Sequence, residues 1–267
     1  KSFISFIFKI IKACRENESK YLIISLTPFT FFACILIKIL NKRPILYLRS
    51  DGYKEYKAIF GFLGEFVYHF MFSIISKISN LVSCNKYILR GKKGNIVTPS
   101  QLNKNWFLNI KEPNLEDIKI LYVGRIKIEK GIFSLLKIIK NIKNIKLTIV
   151  GAEKNIDKII QNNVEIHEIE TNEKALINYY DNHNIFILPS FTEGHPMVLL
   201  EALSRLRPVI VFNEIEHIIG DKKGIFVASR NSKSLEEKIS HIKNNYTNIQ
   251  NEMKKNNLPT NINFLNQ

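Results

Sequence analysis

The chain has 267 residues, of which 45% are hydrophobic and 11% aromatic, and this composition excludes a disordered protein. The length is sufficient for two modest domains, each with its own core. The formal net charge of +15 is compatible with nucleic acid, an anionic membrane surface or phosphorylated substrates as partners. Because the lysines are spread along the chain rather than gathered with aromatic side chains in one patch, we do not expect a nucleic-acid partner.

The first forty residues are strongly apolar. Residues 3–11 predict a helix whose Lys9, with Lys12 beside it, can face acidic lipid headgroups, although core packing is the commoner fate of such a helix. The uncharged run 21–37 is close to the lower limit for a membrane span. Pro28 divides that run into a strand and a helix of ordinary globular length, and we therefore favour a soluble segment.

A strand is predicted at residues 45–48, and its carboxyl end delivers Arg49 and Asp51 to the edge where open α/β sheets bind ligands. We predict both as acceptor-side contacts, with a salt-bridged loop as an equal alternative. A long apolar helix follows at 56–79, and we expect most of its large side chains to lie in the core. Short strands at 80–83 and 95–97 bring the total to about four, fewer than the six of a complete doubly wound unit. This first domain is therefore predicted to be incomplete.

The polar, non-periodic segment 109–117 is the predicted hinge between two domains. Beyond it, strands alternate with helices, which indicates a parallel doubly wound sheet. Those strands are predicted at 120–123, 147–150, 164–166, 185–188, 209–212 and 225–227. We accordingly predict a first domain at 1–112, a second at 113–245 and a polar tail at 246–267.

Two cations follow the first strand of the second domain. Arg125 comes after Gly124, and Lys130 precedes Gly131 at the start of the next helix, so that both can point at one diphosphate. Gly124 and Gly151 fall at strand carboxyl ends, where such sheets bind nucleotides. A departing nucleoside diphosphate accumulates negative charge, which fixed cations stabilise without a metal.

A second motif spans residues 188–212, LPSFTEGHPMVLLEALSRLRPVIVF, with Glu193 and Glu201 in an E-x7-E arrangement. A helix is predicted to start at Pro196, because the missing N–H of proline is unpaired in the first turn anyway. The glycine before it lets backbone N–H groups approach a ligand, and the helix N-terminus favours phosphate. Glu201 stands in an apolar helix, where a carboxylate needs a partner. The alternative is an exposed stripe in which Glu201 pairs with Arg205.

These two motifs together resemble those of family 4 glycosyltransferases. Residues 121–131, LYVGRIKIEKG, are similar to the family's strand, Gly-Arg turn and Lys-Gly helix start. The downstream residues that match the E-G-x-P-x4-E-A…P-V signature are Glu193, Gly194, Pro196, Glu201, Ala202, Pro208 and Val209. The resemblance implies an α/β protein with the GT-B fold, which has two Rossmann-like domains with parallel sheets, here with an incomplete N-terminal domain.

The resemblance also implies roles for residues. It implies transfer of a hexose with retention of configuration, from a UDP- or GDP-type sugar donor to a hydroxyl of a glycan or lipid-linked acceptor, with no cofactor and no metal. Catalytic roles fall on Arg125, Lys130 and Glu193. The implied nucleotide contacts are Gly124, Arg125, Lys130, Gly151 and Glu201. The implied contacts to the donor sugar and distal phosphate are Glu193, Gly194, His195, Pro196 and Met197.

The chain departs from the family's pattern in its first domain. Family members commonly carry a histidine near the position of Arg49, and the family's glycine-rich loop has no match here. The alternative is therefore a non-catalytic module of the same fold that binds a sugar nucleotide or a glycan. We favour an enzyme of cell-surface polysaccharide or glycolipid synthesis. Three cysteines without metal-ligand spacing fit a cytoplasmic protein, and we expect peripheral contact with the inner face of the cytoplasmic membrane. His167, His183, His217 and His241 also lack ligand spacing and are expected to be packing or surface residues.

Overall fold

The computed structural model describes residues 2–15, 20–153 and 162–265, and the chain divides into two compact units, Lys1–Pro99 and Ser100–Gln267. The first unit has four parallel strands in the order β1-β2-β3-β4. Its strands are β1 Tyr21–Ile24, β2 Pro44–Leu48, β3 Asn80–Ser83 and β4 Asn95–Ile96. Its helices are α1 Ser2–Arg15, α2 Pro28–Ile39 and α3 Gly52–Ile78.

The second unit has six parallel strands in the order β10-β9-β8-β5-β6-β7. The strands are β5 Ile118–Val123, β6 Ile145–Ala152, β7 Val164–Glu168, β8 Ile185–Leu188, β9 Val209–Phe212 and β10 Ile225–Ala228. The helices are α4 Ile132–Ile139, α5 Glu173–Asp181, α6 Met197–Ser204, α7 Ser232–Asn244, α8 Tyr246–Met253 and α9 Asn261–Leu265. From β5 the chain first builds outward through β6 and β7, then returns to β8 on the other side. The sheet therefore has a topological switch point between β5 and β8, which is where such sheets bind ligands.

The central strands explain why this sheet forms. Every residue of β8 and β9 is buried. Continuous apolar runs of this kind suit parallel strands that are covered on both faces. The core of the second unit joins both strands to β5, β6 and the helices around them.

The limits of the two units differ from the predicted domain boundaries. Leu102 and Trp106 lie in the core of the second unit, so the units divide at Pro99 and Ser100 rather than at residue 112. Residues 246–253 form α8 instead of a polar tail, because Tyr246, Ile249 and Met253 recur at helical spacing and are buried in the same core.

Helix α3 differs from the prediction in a more consequential way. We expected most of its large side chains to be core residues, but Phe62 and Phe66 are 76% and 64% exposed. The buried residues of α3 are Gly52, Gly64, Tyr68, Met71, Phe72 and Ile75. Gly61, with φ of +65°, interrupts the helix after its first nine residues. Only one side of the later segment therefore contributes to the core of the first unit.

All three cysteines are buried and none forms a disulfide. Burial raises the pKa of Cys34 and of Cys84 to about 11 in each case. Cys14 lies in the same hydrophobic cluster of the first unit. These thiols act as small apolar side chains of the core.

Candidate active site

The predicted phosphate-binding residues lie at the switch point of the second sheet. Gly124 follows β5, and its N–H donates to the carbonyl oxygen of Val150 in β6 at 2.9 Å. A Cβ on Gly151 would lie 2.3 Å from the carbonyl oxygen of Gly124, so the ends of these two strands are in backbone contact. Both glycines therefore stand where the sequence predicted them, at neighbouring carboxyl ends.

Gly131 joins the start of α4 to the end of β8. Its φ is +69°, and a Cβ there would lie 1.9 Å from the carbonyl oxygen of Pro189. Only glycine tolerates both conditions without strain. The N–H of Phe191 also donates to the carbonyl of Glu129 at 3.0 Å. These backbone contacts bring the turn that carries Lys130 against the loop that carries Glu193.

Lys130 and Glu193 form the centre of the site. The Lys130 Nζ donates to Glu193 Oε1 at 2.6 Å, and Ser190 Oγ donates to the same oxygen at 2.6 Å. The side chains of Lys130 and Glu193 are 24% and 9% exposed. In this arrangement the lysine charge is balanced by the carboxylate, and an entering phosphate would compete with Glu193 for it.

Arg125 lies in the segment between β5 and α4 that also carries Lys130. The Tyr122 hydroxyl donates to the backbone carbonyl of Arg125 at 2.9 Å and fixes the turn. Arg125 is solvent-exposed, and within the described ranges its guanidinium makes no hydrogen bond or ion pair. This cation is therefore available to an anionic ligand.

Glu201 is buried on α6 and has a partner that the sequence did not reveal. Glu201 is 6% exposed, and Tyr180 Oη donates a hydrogen bond to Glu201 Oε2 at 2.8 Å. Burial raises the pKa of Glu201 above the ordinary carboxyl value, and the hydrogen bond from Tyr180 opposes that rise. The alternative pairing of Glu201 with Arg205 is not formed.

Arg205 instead anchors the segment before β5. Its guanidinium binds both carboxylate oxygens of Asp181, at 2.9 and 2.8 Å. It also donates to the carbonyl oxygens of Trp106, Leu108 and Asn109. The buried guanidinium therefore meets carboxylate and backbone oxygens together, as a buried charge requires. These bonds tie residues 106–109 to the second unit.

The N-terminus of α6 closes the motif. Pro196 is its N-cap rather than its first helical residue, and no side chain caps the helix. Gly194 is buried, whereas His195, Pro196 and Met197 are partly exposed. The first N–H groups of α6 therefore carry no side-chain cap, which suits an anionic or hydroxylated ligand.

The loop after β8 is held by two residues that the sequence did not single out as ligands. Arg230 Nη2 donates to the carbonyl oxygens of Pro189 and Ser190, and its Nε donates to Glu214 at 2.7 Å. Its guanidinium lies 4.1 Å from the ring centre of Phe191. His217 Nε2 donates to the carbonyl oxygen of Glu193 at 3.0 Å. Arg230 lies just after β10 and His217 just after β9, so only the strand order brings them here.

Two buried polar atoms beside this loop have no protein partner. The described residues contain four such side-chain atoms, and two of them are Thr192 Oγ1 and Arg230 Nη1. A Cβ on Gly131 would lie 3.1 Å from that same Arg230 Nη1. Buried polar atoms are rarely left unpaired. Their presence in and against the loop that carries Glu193 is expected of a site completed by a ligand.

The acceptor-side candidates of the first unit have different environments. Asp51 caps α3 by accepting the Tyr53 N–H at 3.2 Å, and it forms an ion pair with Arg90 at 3.0 Å. The carboxylate of Asp51 is thus engaged in structural contacts, and its salt-bridge partner is Arg90 rather than Arg49. Arg49 is exposed, and its carbonyl oxygen accepts a hydrogen bond from Cys84. Their contact with an acceptor stays a prediction.

No cluster of three His, Cys, Asp or Glu residues that could hold a metal occurs among the residues that the structure describes. Independence from metal remains a prediction. A separate cleft is lined by Lys119, Lys146, Val164 and His167, among others. It runs along the edge strand β7 and reaches the amino-terminal ends of β5 and β6, and none of the predicted site residues lines it.

Comparison with known proteins agrees with the sequence motifs. The family model of glycosyl transferases group 1 matches residues 105–258. CapM of Staphylococcus aureus, a capsular polysaccharide biosynthesis glycosyltransferase, is 28% identical over 262 residues, which cover 86% of this chain and 69% of CapM.

Solved structures of the same fold are also similar to this chain. Sucrose-phosphate synthase from Thermosynechococcus elongatus has a TM-score of 0.72 and 16% identity, over 95% of this chain and 74% of that one. Anabaena HepE, in complex with UDP-glucose, has a TM-score of 0.70 and 11% identity, over 92% of this chain and 74% of HepE. The predicted GT-B fold is confirmed by these structures, and the match over residues 105–258 shows that the chain belongs to the glycosyl transferases group 1 family.

Proposed function

We propose that this protein transfers a hexose from a UDP- or GDP-sugar to a hydroxyl group of a glycan or lipid-linked acceptor, with retention of anomeric configuration. The observation that carries the proposal is the contact between Lys130 and Glu193 at the switch point between β5 and β8. It joins the two motifs that the sequence separates by 63 residues. The unpaired Thr192 Oγ1 and Arg230 Nη1 beside it support a polar ligand at this place.

The cations stabilise the leaving group. The bond from the anomeric carbon of the sugar to the diphosphate oxygen breaks, and the bonding electrons leave with the nucleoside diphosphate. Lys130 and Arg125 bind the phosphate oxygens as this negative charge develops, which lowers the barrier. A new bond forms on the same face between the anomeric carbon and the acceptor oxygen. The acceptor proton passes to an oxygen of the leaving phosphate, so no protein base is required.

The carboxylates recognise hydroxyl groups. Once the donor's phosphate binds Lys130, Glu193 is released to accept hydrogen bonds from the donor sugar. Tyr180 occupies Oε2 of Glu201, and we assign Oε1 to a ribose hydroxyl. A hydrogen bond from a hydroxyl group to a buried carboxylate is charge-assisted and therefore strong.

The cellular setting follows from similarity. CapM is named for capsular polysaccharide biosynthesis, and by analogy we place this protein in the synthesis of a cell-surface polysaccharide or glycolipid, on the cytoplasmic side of the membrane. The complex of HepE with UDP-glucose favours UDP as the nucleotide.

Calorimetric titration with UDP, GDP and ADP, with and without EDTA, tests the donor site. We expect one nucleotide to bind independently of EDTA. Loss of one charge-assisted contact costs about 1.5–3 kcal/mol, so Lys130→Ala and Arg125→Ala should each weaken binding by about tenfold or more. Lys137→Ala is the matched control, because this exposed lysine lies on the far turn of α4. Equal affinity in all four proteins would refute the site.

Turnover separates the enzyme from a non-catalytic binding module. The module is favoured by the engagement of Asp51 with Arg90 and by the four-stranded first sheet. With a radiolabelled donor sugar, the enzyme releases labelled free or transferred sugar, whereas a binding module retains the intact donor. The anomeric configuration of the product, read by nuclear magnetic resonance, tests retention.

A further inference from the structure

The first unit exposes an unusually apolar surface. Among the described residues, 23 large hydrophobic side chains are exposed, and 16 of them belong to the first unit, Lys1–Pro99. Seven lie within twelve residues of α3, namely Ile59, Phe60, Phe62, Leu63, Phe66, Val67 and Phe70. Isolated exposed apolar residues are ordinary in proteins, but a contiguous group of this size marks a contact surface.

Beyond Gly61, helix α3 has two apolar faces. One face supplies buried residues, including Tyr68, Met71 and Ile75, which belong to the core of the first unit. The other face consists of Phe62, Leu63, Phe66, Val67 and Phe70, and each of these residues is between 46% and 76% exposed. We call these five residues the apolar face. A polar stripe that includes Glu65, His69 and Ser73 separates the two apolar faces on one side. The segment is therefore amphipathic, and protein covers only its core face.

The neighbouring helices extend this surface. Helix α2 packs against both α1 and α3. The Phe31 ring of α2 lies 6.2 Å from the ring of Phe70, and 5.5 Å from the ring of Phe32, which is 51% exposed. Phe29 of α2 is likewise exposed. The apolar face therefore continues onto α2 through ring contacts.

Helix α3 is suited to lying on a membrane rather than crossing it. It is the one helix of the described residues that is long and apolar enough to cross a membrane, judged by length and composition alone, and most of its residues are not buried. Gly61 interrupts this helix, and the segment after it gives one face to the core of its own unit. If α3 crossed a membrane, its core face would contact lipid and could no longer pack in the core of the first unit.

The charge of the same unit identifies the kind of membrane. Residues 1–99 contain 16 Lys and Arg against 5 Asp and Glu, and so carry +11 of the net +15. The net positive charge is therefore concentrated in the first unit because acidic residues are scarce there, whereas lysine and arginine are spread along the whole chain. Lys9 and Lys12 on α1 are exposed, and Lys57 near the kink is exposed but forms an ion pair with Glu65 at 2.9 Å. Lysines beside an apolar helix face attract anionic headgroups, at about 1 kcal/mol for each residue near the surface.

We propose that the apolar face of α3, with Phe29 and Phe32 of α2, docks onto an anionic lipid bilayer. The aromatic side chains enter the boundary between headgroups and acyl chains, and exposed lysines of the same unit, such as Lys9 and Lys12 on α1, bind acidic headgroups. This docking is independent of the donor site. Its consequence, that a lipid-linked acceptor is met at the bilayer surface, rests on the proposed function.

Co-sedimentation with lipid vesicles tests the proposal. The full chain is mixed with vesicles of phosphatidylcholine, with or without phosphatidylglycerol, at low and high salt. We expect partitioning onto anionic vesicles that weakens with salt, and a fall of about tenfold or more in the partition coefficient for Phe62→Ser/Phe66→Ser. Ile169→Ser/Ile262→Ser is the matched control, because both residues belong to the second unit and are 54% and 60% exposed. This control should bind like the wild-type protein.

Three results would overturn the proposal. The first is wild-type protein that stays in solution with anionic vesicles, and the second is equal binding by Phe62→Ser/Phe66→Ser. The third is a wild-type dimer in light scattering that Phe62→Ser/Phe66→Ser converts to monomer, since a second copy would then cover the face. Unchanged far-ultraviolet circular dichroism establishes that the variant is folded. Calorimetry without vesicles reports the donor site separately, so failure of nucleotide binding would count against the proposed function and leave the docking result intact.

Discussion

The hydrogen bond from Tyr180 to Glu201 gives a prediction whose size depends on pH. Tyr180→Phe removes the hydroxyl that donates to Glu201 Oε2 at 2.8 Å and leaves a buried carboxylate without that donor. A hydrogen bond to a charged group contributes about 1.5–3 kcal/mol, and one between neutral groups about 0.5–1.5 kcal/mol. The loss in the free energy of unfolding should therefore be about 2 kcal/mol where Glu201 is ionised, and about 1 kcal/mol where it is protonated.

The direction of the pH dependence follows from the raised pKa of Glu201. Its burial makes the folded state hold a proton that the unfolded state has already released. The contribution of Glu201 to the free energy of unfolding therefore falls as pH rises from the ordinary carboxyl pKa through the raised folded pKa. Tyr180→Phe removes a bond that favours the ionised form, so it raises the folded pKa further. The variant should lose more stability at about pH 8 than at about pH 4.5.

The single tryptophan provides the assay. Trp106 is buried in the second unit, and its ring lies 5.8 Å from the ring of Tyr180, so its fluorescence reports urea unfolding of the unit that contains Glu201. Tyr246→Phe is the matched control, since the Tyr246 hydroxyl donates to the carbonyl oxygen of Asn184 at 2.6 Å and also contacts Arg207, and neither partner is a carboxylate. The control should lose about 1 kcal/mol at both pH values. An equal loss for Tyr180→Phe at both pH values would refute the reasoning.

Three further predictions concern the loops and the core of the second unit. Gly131→Ala should lower the free energy of unfolding by more than about 2 kcal/mol, because strain at positive φ adds to the clash with a backbone carbonyl. Gly220→Ala has the strain without the clash and should lower it by only about 1 kcal/mol. Urea titration of both variants measures the difference. Arg230→Lys should weaken nucleoside diphosphate binding about three- to tenfold in calorimetry, because lysine lacks the planar guanidinium that binds Glu214 through Nε and the two carbonyl oxygens through Nη2. Unchanged affinity would remove this residue from the site. Burial lowers the pKa of His183 below 6.5, so the unfolded state takes up the proton first. The free energy of unfolding should then fall as the pH drops below 6.5, and it should fall less in His183→Gln when both proteins are unfolded with urea over this pH range.

The second unit was predictable because its strands are continuous apolar runs. The runs at 185–188 and 209–212 need no knowledge of other residues to be recognised, since both faces of such strands are covered. The candidate site residues after β5 and β8 were identified for a similar reason. Their spacing is local, and the strand order brings Lys130 and Glu193 into contact.

Partners distant in sequence were not predictable. Tyr180 reaches Glu201 from another helix, and Arg230 reaches Pro189 from the end of β10. Local spacing offered Arg205 as an alternative partner of Glu201, but Asp181 and three backbone carbonyls compete for the same guanidinium. In α3, apolar residues at helical spacing indicated burial, yet spacing alone does not say whether protein covers both faces.

The burial of all three cysteines makes this protein suitable for site-selective labelling. A thiol reacts as its thiolate, and burial keeps Cys34 and Cys84 protonated near neutral pH, while Cys14 is sterically shielded in the core. A Phe62→Cys substitution would therefore introduce an accessible thiol against an unreactive background. An environment-sensitive fluorophore attached there would change its emission with the polarity around α3, and so report the depth of that residue in a bilayer.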